Sequence, residues 1–298
     1  MNAVMLTRAI LLCLVFVLPR AGAQSQTVTP KPLVAHRGAS AYAPEHTLTA
    51  YRLALQQGAD YVEQDLAVTK DGVLICLHDD SLARTTNVEE LFPDRKPWLA
   101  VDFTVAEIKR LDAGSWFDAR FAGERIPTWE EAVALVGTSA GLYPELKTPA
   151  LYESRGIDMT RLFVESLRRL HLIDPAPGML IVQSFDDRPL RAIARDVPSL
   201  PRTFLIDARD GARWLSPGGL AEVAQFATGI GPSKLLLDGH PEIVGLAHGA
   251  GLTVTPYTFT TRGPATRFPT VRDEMRYYLS ELNVDALFTD NPDLFPRE

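Results

Sequence analysis

The chain has 298 residues, 46% of them hydrophobic and 22% charged, with a formal net charge of −7. That is enough apolar material for one sizeable domain, and the acidic balance, with no block of Lys or Arg, argues against a nucleic-acid binder. A chain of this charge that takes an anionic ligand must gather positive charge locally.

The first residues read as an export signal. Arg8 precedes an unbroken apolar stretch, Ala9 through Leu18, which is too short to span a bilayer. Ala21-Gly22-Ala23 supplies the small residues of a cleavage site before Gln24. On this reading residues 1–23 are a signal peptide and the mature chain, 24–298, is periplasmic or secreted, without stable membrane insertion. Retention of the segment as an anchor is the alternative. Cys13 lies inside the leader, so Cys76 is alone in the mature chain and no internal disulfide is expected. Its apolar neighbours mark Cys76 as a core residue.

Leu33-Val34-Ala35 predicts a first strand that stops at His36-Arg37-Gly38. A helix follows from about Leu48 to Gln57, with Leu48, Tyr51 and Leu55 at helical spacing, Thr47 as its N-cap and Gly58 as its stop. Residues 61–69 and 73–77, joined by Asp71-Gly72, predict a hairpin or a bent strand. Residues 79 to about 130 break the pattern with aromatics, charges and prolines, and are too long for an ordinary loop. They predict an insertion near the rim, in which Trp116 and Phe117 either wall a substrate pocket or seal the insertion's own core.

Alternation then resumes. Strands are expected at 142–146, 179–185, 201–206, 234–237, 252–259 and 286–289, and helices at 158–172, 189–196, 219–226, 242–250 and 272–282. Strand–helix alternation over a domain of this length predicts an α/β fold, a (β/α)8 TIM barrel with a small insertion after the second or third strand. Nine strand candidates are one too many, so 73–77 or 234–237 is expected to be irregular.

The chemistry sits at strand ends, where such barrels keep their active sites. Arg37 offers a planar fork of donors for a phosphate or carboxylate, and His36 a proton donor or acceptor. Glu63 and Asp65, at i and i+2 on a strand, point to the same side. Two adjacent buried anions repel, and a divalent cation with oxygen ligands relieves the cost. A second apolar run, 73–77, ends on His78. Two strand-terminal histidines, an arginine and a carboxylate pair read together as a metal-assisted phosphoester site.

The run His36-Arg37-Gly38-Ala39-Ser40, then Pro44-Glu45-His46-Thr47, Glu63-Gln64-Asp65, Thr69-Lys70-Asp71-Gly72 and His78-Asp79 resembles the glycerophosphodiester phosphodiesterase family. The resemblance continues through Ile126-Pro127-Thr128, Glu145-Leu146-Lys147, Gln183-Ser184-Phe185 and Leu287-Phe288-Thr289-Asp290-Asn291-Pro292. Many members carry Asn where this chain has His46. That variant, with Tyr143-Pro144-Glu145 and Pro256-Tyr257-Thr258, resembles the secreted and periplasmic branch and leaves the role of His46 open.

The resemblance implies metal-dependent hydrolysis of small glycerophosphodiesters to glycerol 3-phosphate and an alcohol. It implies one divalent cation, Ca2+ or Mg2+, held by Glu63, Asp65 and Glu145. His36 is expected as general base and His78 as general acid, or the reverse. Arg37 and Lys147 would contact phosphate, although Glu145 and Lys147 read without the family are an ion pair. Glu45 either orients the metal shell, holds a glycerol hydroxyl or stabilises a helix N-terminus. Gln183, Phe185 and Tyr257 are expected along the substrate pocket, with core packing the alternative for Phe185. Asp290 and Asn291 end the last strand and read either as structural closure or as support behind the ligands, not as ligands themselves. Two rivals stand beside this reading: a related phospholipase (sphingomyelinase D-like or phosphoinositide-specific) and a catalytically silent phosphodiester-binding protein.

Overall fold

Eight short parallel strands carry the architecture. The computed structural model describes residues 31–176 and 178–297, so the expected signal peptide lies outside the described residues. The strands are β1 (Leu33–Ala35), β2 (Tyr61–Val68), β3 (Leu74–Cys76), β4 (Gly141–Leu146), β5 (Val182–Ser184), β6 (Arg202–Ile206), β7 (Gly229–Pro232), β8 (Thr253–Val254) and β9 (Leu287–Thr289). They form one sheet in the order β8-β7-β6-β5-β4-β2-β1-β9, with β3 pairing antiparallel to β2 outside that path. Beyond β8 the chain runs on to Phe259, which bridges in parallel to Thr289 and brings the two sheet edges together. The Phe259 N–H donates to Phe288 O at 2.9 Å and the Asp290 N–H to Phe259 O at 3.0 Å. This is the expected TIM barrel.

The pleat sorts side chains by parity. Leu33, Ala35, Val62 and Leu66 point outward and pack in the main core with the helices. Val34, Tyr143 and Phe288 form a separate cluster that fills the barrel. Their rings meet edge to face, with Tyr143 and Phe288 centroids 5.1 Å apart. The next inward positions along the same strands are Glu63 and Asp65 on β2 and Glu145 on β4. Register places Glu63 opposite Tyr143, Asp65 opposite Glu145, and Glu145 opposite Gln183. An apolar floor therefore sits directly beneath a charged layer.

Helices close the outer face. Leu48–Gln56 starts at Thr47, whose hydroxyl accepts from Ala50 N, and packs against the turn after β1. Gly38 makes that approach feasible: its φ is +84°, and a Cβ there would lie 2.7 Å from the Ala50 carbonyl carbon. Helices Met159–Arg169, Asp187–Asp196 and Val271–Ser280 bury one face each. No helix among the described residues is long and apolar enough to cross a membrane.

Two elements differ from expectation. Residues 234–237, expected as a strand, form the helical turn Lys234–Leu237, and β7 lies earlier at Gly229–Pro232. The glycines there are forced by neighbours. A Cβ at Gly229 would lie 2.3 Å from Thr253 Oγ1, and one at Gly231 would lie 2.5 Å from Leu205 Cδ2. The expected strand at 252–259 keeps regular pairing only over Thr253–Val254, with isolated bridges at Tyr257 and Phe259.

Between β3 and the helix Trp129–Val136 run two short helices, Val88–Leu91 and Val105–Ile108, and two 3-10 turns, Ala100–Asp102 and Ala119–Phe121. Val88, Val101, Phe103, Ile108 and Leu111 from this stretch are buried in the same core as the barrel helices. Trp116, Phe117 and Phe121 instead stack edge to face on one another, and Trp116 stays 38% exposed.

Candidate active site

The chemistry collects where β1, β2, β4, β5 and β9 end. His36 follows β1 directly, its N–H bound to Thr289 O at 3.0 Å. Its Nδ1 lies 2.7 Å from Asp290 Oδ1, which also accepts from Ser40 Oγ at 3.0 Å. A carboxylate only accepts, so Nδ1 carries the proton and Nε2 is the free acceptor of the neutral ring. Asp290, read from sequence as strand closure or as support behind the site, thereby fixes the His36 tautomer.

Arg37 stands in the left-handed region at φ 57°, as does His46 at 55°. Strain at two non-glycine residues a few positions apart marks a site that the surroundings hold in place. The Arg37 N–H donates to Glu63 Oε2 at 2.7 Å, its Nη1 to Glu45 Oε1 at 3.1 Å, and its Nε lies 3.3 Å from Asp65 Oδ2. Lys147 Nζ sits 3.4 Å from Glu145 Oε1 and 3.8 Å from Asp65 Oδ1.

His46 is buried and doubly engaged. Its Nε2 donates to Asp65 Oδ2 at 2.8 Å, and its Nδ1 accepts from the Tyr51 hydroxyl at 2.9 Å. Burial lowers its proton affinity, so the ring is neutral. Ligand atoms of His46, Glu63 and Asp65 lie within 4.8 Å of one another, close enough to hold a metal ion. The sequence left His46 without a role; its hydrogen bond to Asp65 spans segments that only folding brings together.

The carboxylates bear on what the layer holds. Burial, then the neighbouring Asp65, pushes the Glu63 carboxyl well above its usual range. Burial likewise pushes Glu145 up to about 8 against the attraction of Lys147. Burial acts on Asp65 too, but Lys147, the His46 hydrogen bond and Arg37 more than offset it and hold Asp65 well below its usual range. Arg37 and Lys147 therefore do not neutralise three buried carboxyls, and a divalent cation with oxygen ligands fits that deficit.

His78, after β3, places Nδ1 at 2.6 Å from Asp79 Oδ1. Burial pushes its pKa down to about 4, with Arg37 and Lys147 adding to the effect and Asp65 opposing it. Every expected site residue except Glu45 and Trp116 lines one cavity of about 210 Å³: His36, Arg37, Glu63, Asp65, His78, Glu145, Lys147, Gln183, Phe185 and Tyr257, with Leu205, Thr258 and Phe288 completing the wall. Gln183 is buried, its Nε2 is 3.5 Å from Glu63 Oε1, and its Oε1 finds no donor among the described residues. Phe185 stacks edge to face on Tyr257 and is 42% exposed. Glu45 lies behind Arg37 and pairs with Arg84, which also holds Asp79. Trp116 has its ring 5.9 Å from the Arg84 guanidinium. The sequence reading did not single out Arg84. Asp79 carries a usable signal in its place directly after His78.

Known proteins resemble this chain in sequence and fold. Residues 36–294 match the Glycerophosphoryl diester phosphodiesterase family. The glycerophosphodiester phosphodiesterase of Bacillus subtilis is 35% identical over 89% of this chain and 85% of its own. A phosphodiesterase from Oleispira antarctica, solved in complex with the product sn-glycerol-3-phosphate, superposes with a TM-score of 0.71 at 28% identity, over 89% of this chain and 94% of that one. A glycerophosphodiester phosphodiesterase structure from Agrobacterium tumefaciens gives 0.67 at 29% identity, over 89% of this chain and 98% of that one. With the match spanning almost all the described residues, the chain belongs to the glycerophosphoryl diester phosphodiesterase family.

Proposed function

We propose that the protein is an exported enzyme that hydrolyses glycerophosphodiesters to glycerol 3-phosphate and an alcohol, using Ca2+ or Mg2+ and two histidines. One observation carries the reading. His36 and His78 each have Nδ1 tied to a carboxylate, and both line one cavity with Arg37 and three carboxyls. A binding protein has no need of two oriented proton carriers. The product held by the Oleispira relative supports glycerol 3-phosphate as the half that keeps the phosphate. Export rests on the apolar leader and the Ala21-Gly22-Ala23 site.

Glu63, Asp65 and Glu145 would hold the cation, with His46 orienting Asp65 rather than ligating, because both of its nitrogens are engaged and hard cations prefer oxygen. Bound there, the cation supplies Lewis-acid neutralisation of a phosphate oxygen. Arg37 and Lys147 add positive charge on the cavity wall. His36 takes a proton at Nε2 from the attacking hydroxyl, and Asp290 stabilises the imidazolium that results. That hydroxyl is water's or the substrate glycerol's own, and in the second case water then opens the cyclic phosphate. His78 is neutral before substrate arrives; a phosphate anion offsets Arg37 and Lys147, raises the proton affinity of His78 and equips it to protonate the leaving alkoxide. Gln183 Oε1, a buried acceptor in want of a donor, suits a glycerol hydroxyl.

Incubation with glycerophosphocholine, followed by phosphorus NMR, is expected to give glycerol 3-phosphate and choline. Phosphocholine and glycerol as products, or no turnover with either cation, would refute the reading.

A further inference from the structure

Arg84 lies outside the cavity wall, yet it holds both of the site's outlying carboxylates. Its Nε is 2.5 Å from Asp79 Oδ2 and its Nη2 3.1 Å from Asp79 Oδ1. Its Nη1 is 3.0 Å from Glu45 Oε2 and its Nη2 2.7 Å from Glu45 Oε1. Asp79 in turn binds His78 Nδ1 at 2.6 Å, and Glu45 binds Arg37 Nη1 at 3.1 Å. One guanidinium thus joins His78 to Arg37 through two carboxylates. The geometry points to Arg84 as a positioning residue that fixes the His78 ring for proton donation and steadies the Arg37 fork toward phosphate.

Three physical points support this assignment. Asp79 and Glu45 come from loops after different strands, and their charges would repel without a cation between them. A planar fork can engage both oxygens of two carboxylates at once, which the point charge of a lysine cannot. Asp79, with both oxygens taken by Arg84, can meet His78 in one orientation, so Nδ1 keeps its proton and Nε2 faces the transfer. The Trp116 ring lies 5.9 Å from the guanidinium of Arg84, a side chain that stays 42% exposed.

The inference rests on His78 as the general acid, and the test separates the two. Arg84→Gln, Arg84→Lys and His78→Ala are compared on glycerophosphocholine and on the p-nitrophenyl ester of glycerol 3-phosphate, whose leaving group needs little protonation. Arg84→Gln is expected to lower kcat on glycerophosphocholine by roughly 10- to 100-fold, part of the usual worth of acid catalysis, and on the nitrophenyl ester by less than about threefold. KM should rise on both esters as Arg37 loses its hold. Arg84→Lys keeps the charge but not the fork, so it should show the same split at smaller size. It carries the comparison if the glutamine variant does not fold. Equal loss of kcat on the two esters, or loss on neither, overturns the proposal when His78→Ala itself discriminates between them. If His78→Ala loses equally on both, the assignment of His78 as acid fails, and the role of Arg84 falls with it.

Discussion

His36→Ala and His78→Ala are each expected to lose on the order of 10² to 10⁴ in turnover, about 3–5 kcal/mol of transition-state stabilisation. Substrate binding should suffer far less, because Arg37 and Lys147 stay on the cavity wall. The two variants separate by leaving group. A nitrophenyl ester departs without a proton and should rescue His78→Ala, while His36→Ala stays impaired because its nucleophile still lacks a base. Rescue of His36→Ala instead would reverse the two roles. Asp290→Asn should mimic part of the His36 loss, since an amide cannot stabilise the imidazolium as a carboxylate does.

The second large effect concerns the metal. In the metal-free protein Glu145 keeps its proton below about 8 and Glu63 is raised in the same sense, whereas a bound cation needs both as carboxylates. Cation affinity should therefore climb as pH rises toward 8, and calorimetry near pH 7 should register proton release on binding. Asp65→Asn should lower affinity by roughly 100-fold or more, at or beyond the upper end of the range for groups that merely orient ligands. Its cost to folding should be milder, about 1–3 kcal/mol for the weakened bond to His46. Glu63 and Glu145, relieved of the Asp65 charge, then ionise more readily and take over Arg37 and Lys147. Unchanged affinity in Asp65→Asn, or affinity flat across that pH range, would place the cation elsewhere.

Much of this site was legible because its signals are local. His36 and Arg37 end an apolar run, and Glu63 and Asp65 sit at the strand period, so one strand face follows from counting alone. Glu145 on β4 and Lys147 just past its end obey the same parity. What escaped depends on neighbours distant in sequence. β7 is written in glycines because Thr253 and Leu205 leave no room for a Cβ, and a glycine-rich stretch carries no strand pattern. Lys234–Leu237 looks like a buried strand, yet Leu235 is 70% exposed and Leu237 buried, as a single helical turn allows. His46 meets Asp65 only because its backbone enters the left-handed region. The Arg84 bridge joins loops that no periodicity links. Phe185, open between core and pocket on sequence grounds, stands at the cavity mouth.

Phosphodiester cleavage here is expected to require a cation on the carboxyl layer. Glycerol 3-phosphate release from glycerophosphocholine, measured after exhaustive chelation and again with Ca2+ or Mg2+ restored, tests it most directly. Turnover should fall to background on chelation and return with at least one of the two ions. Full activity in the chelated protein, with no metal found in it, would contradict the account.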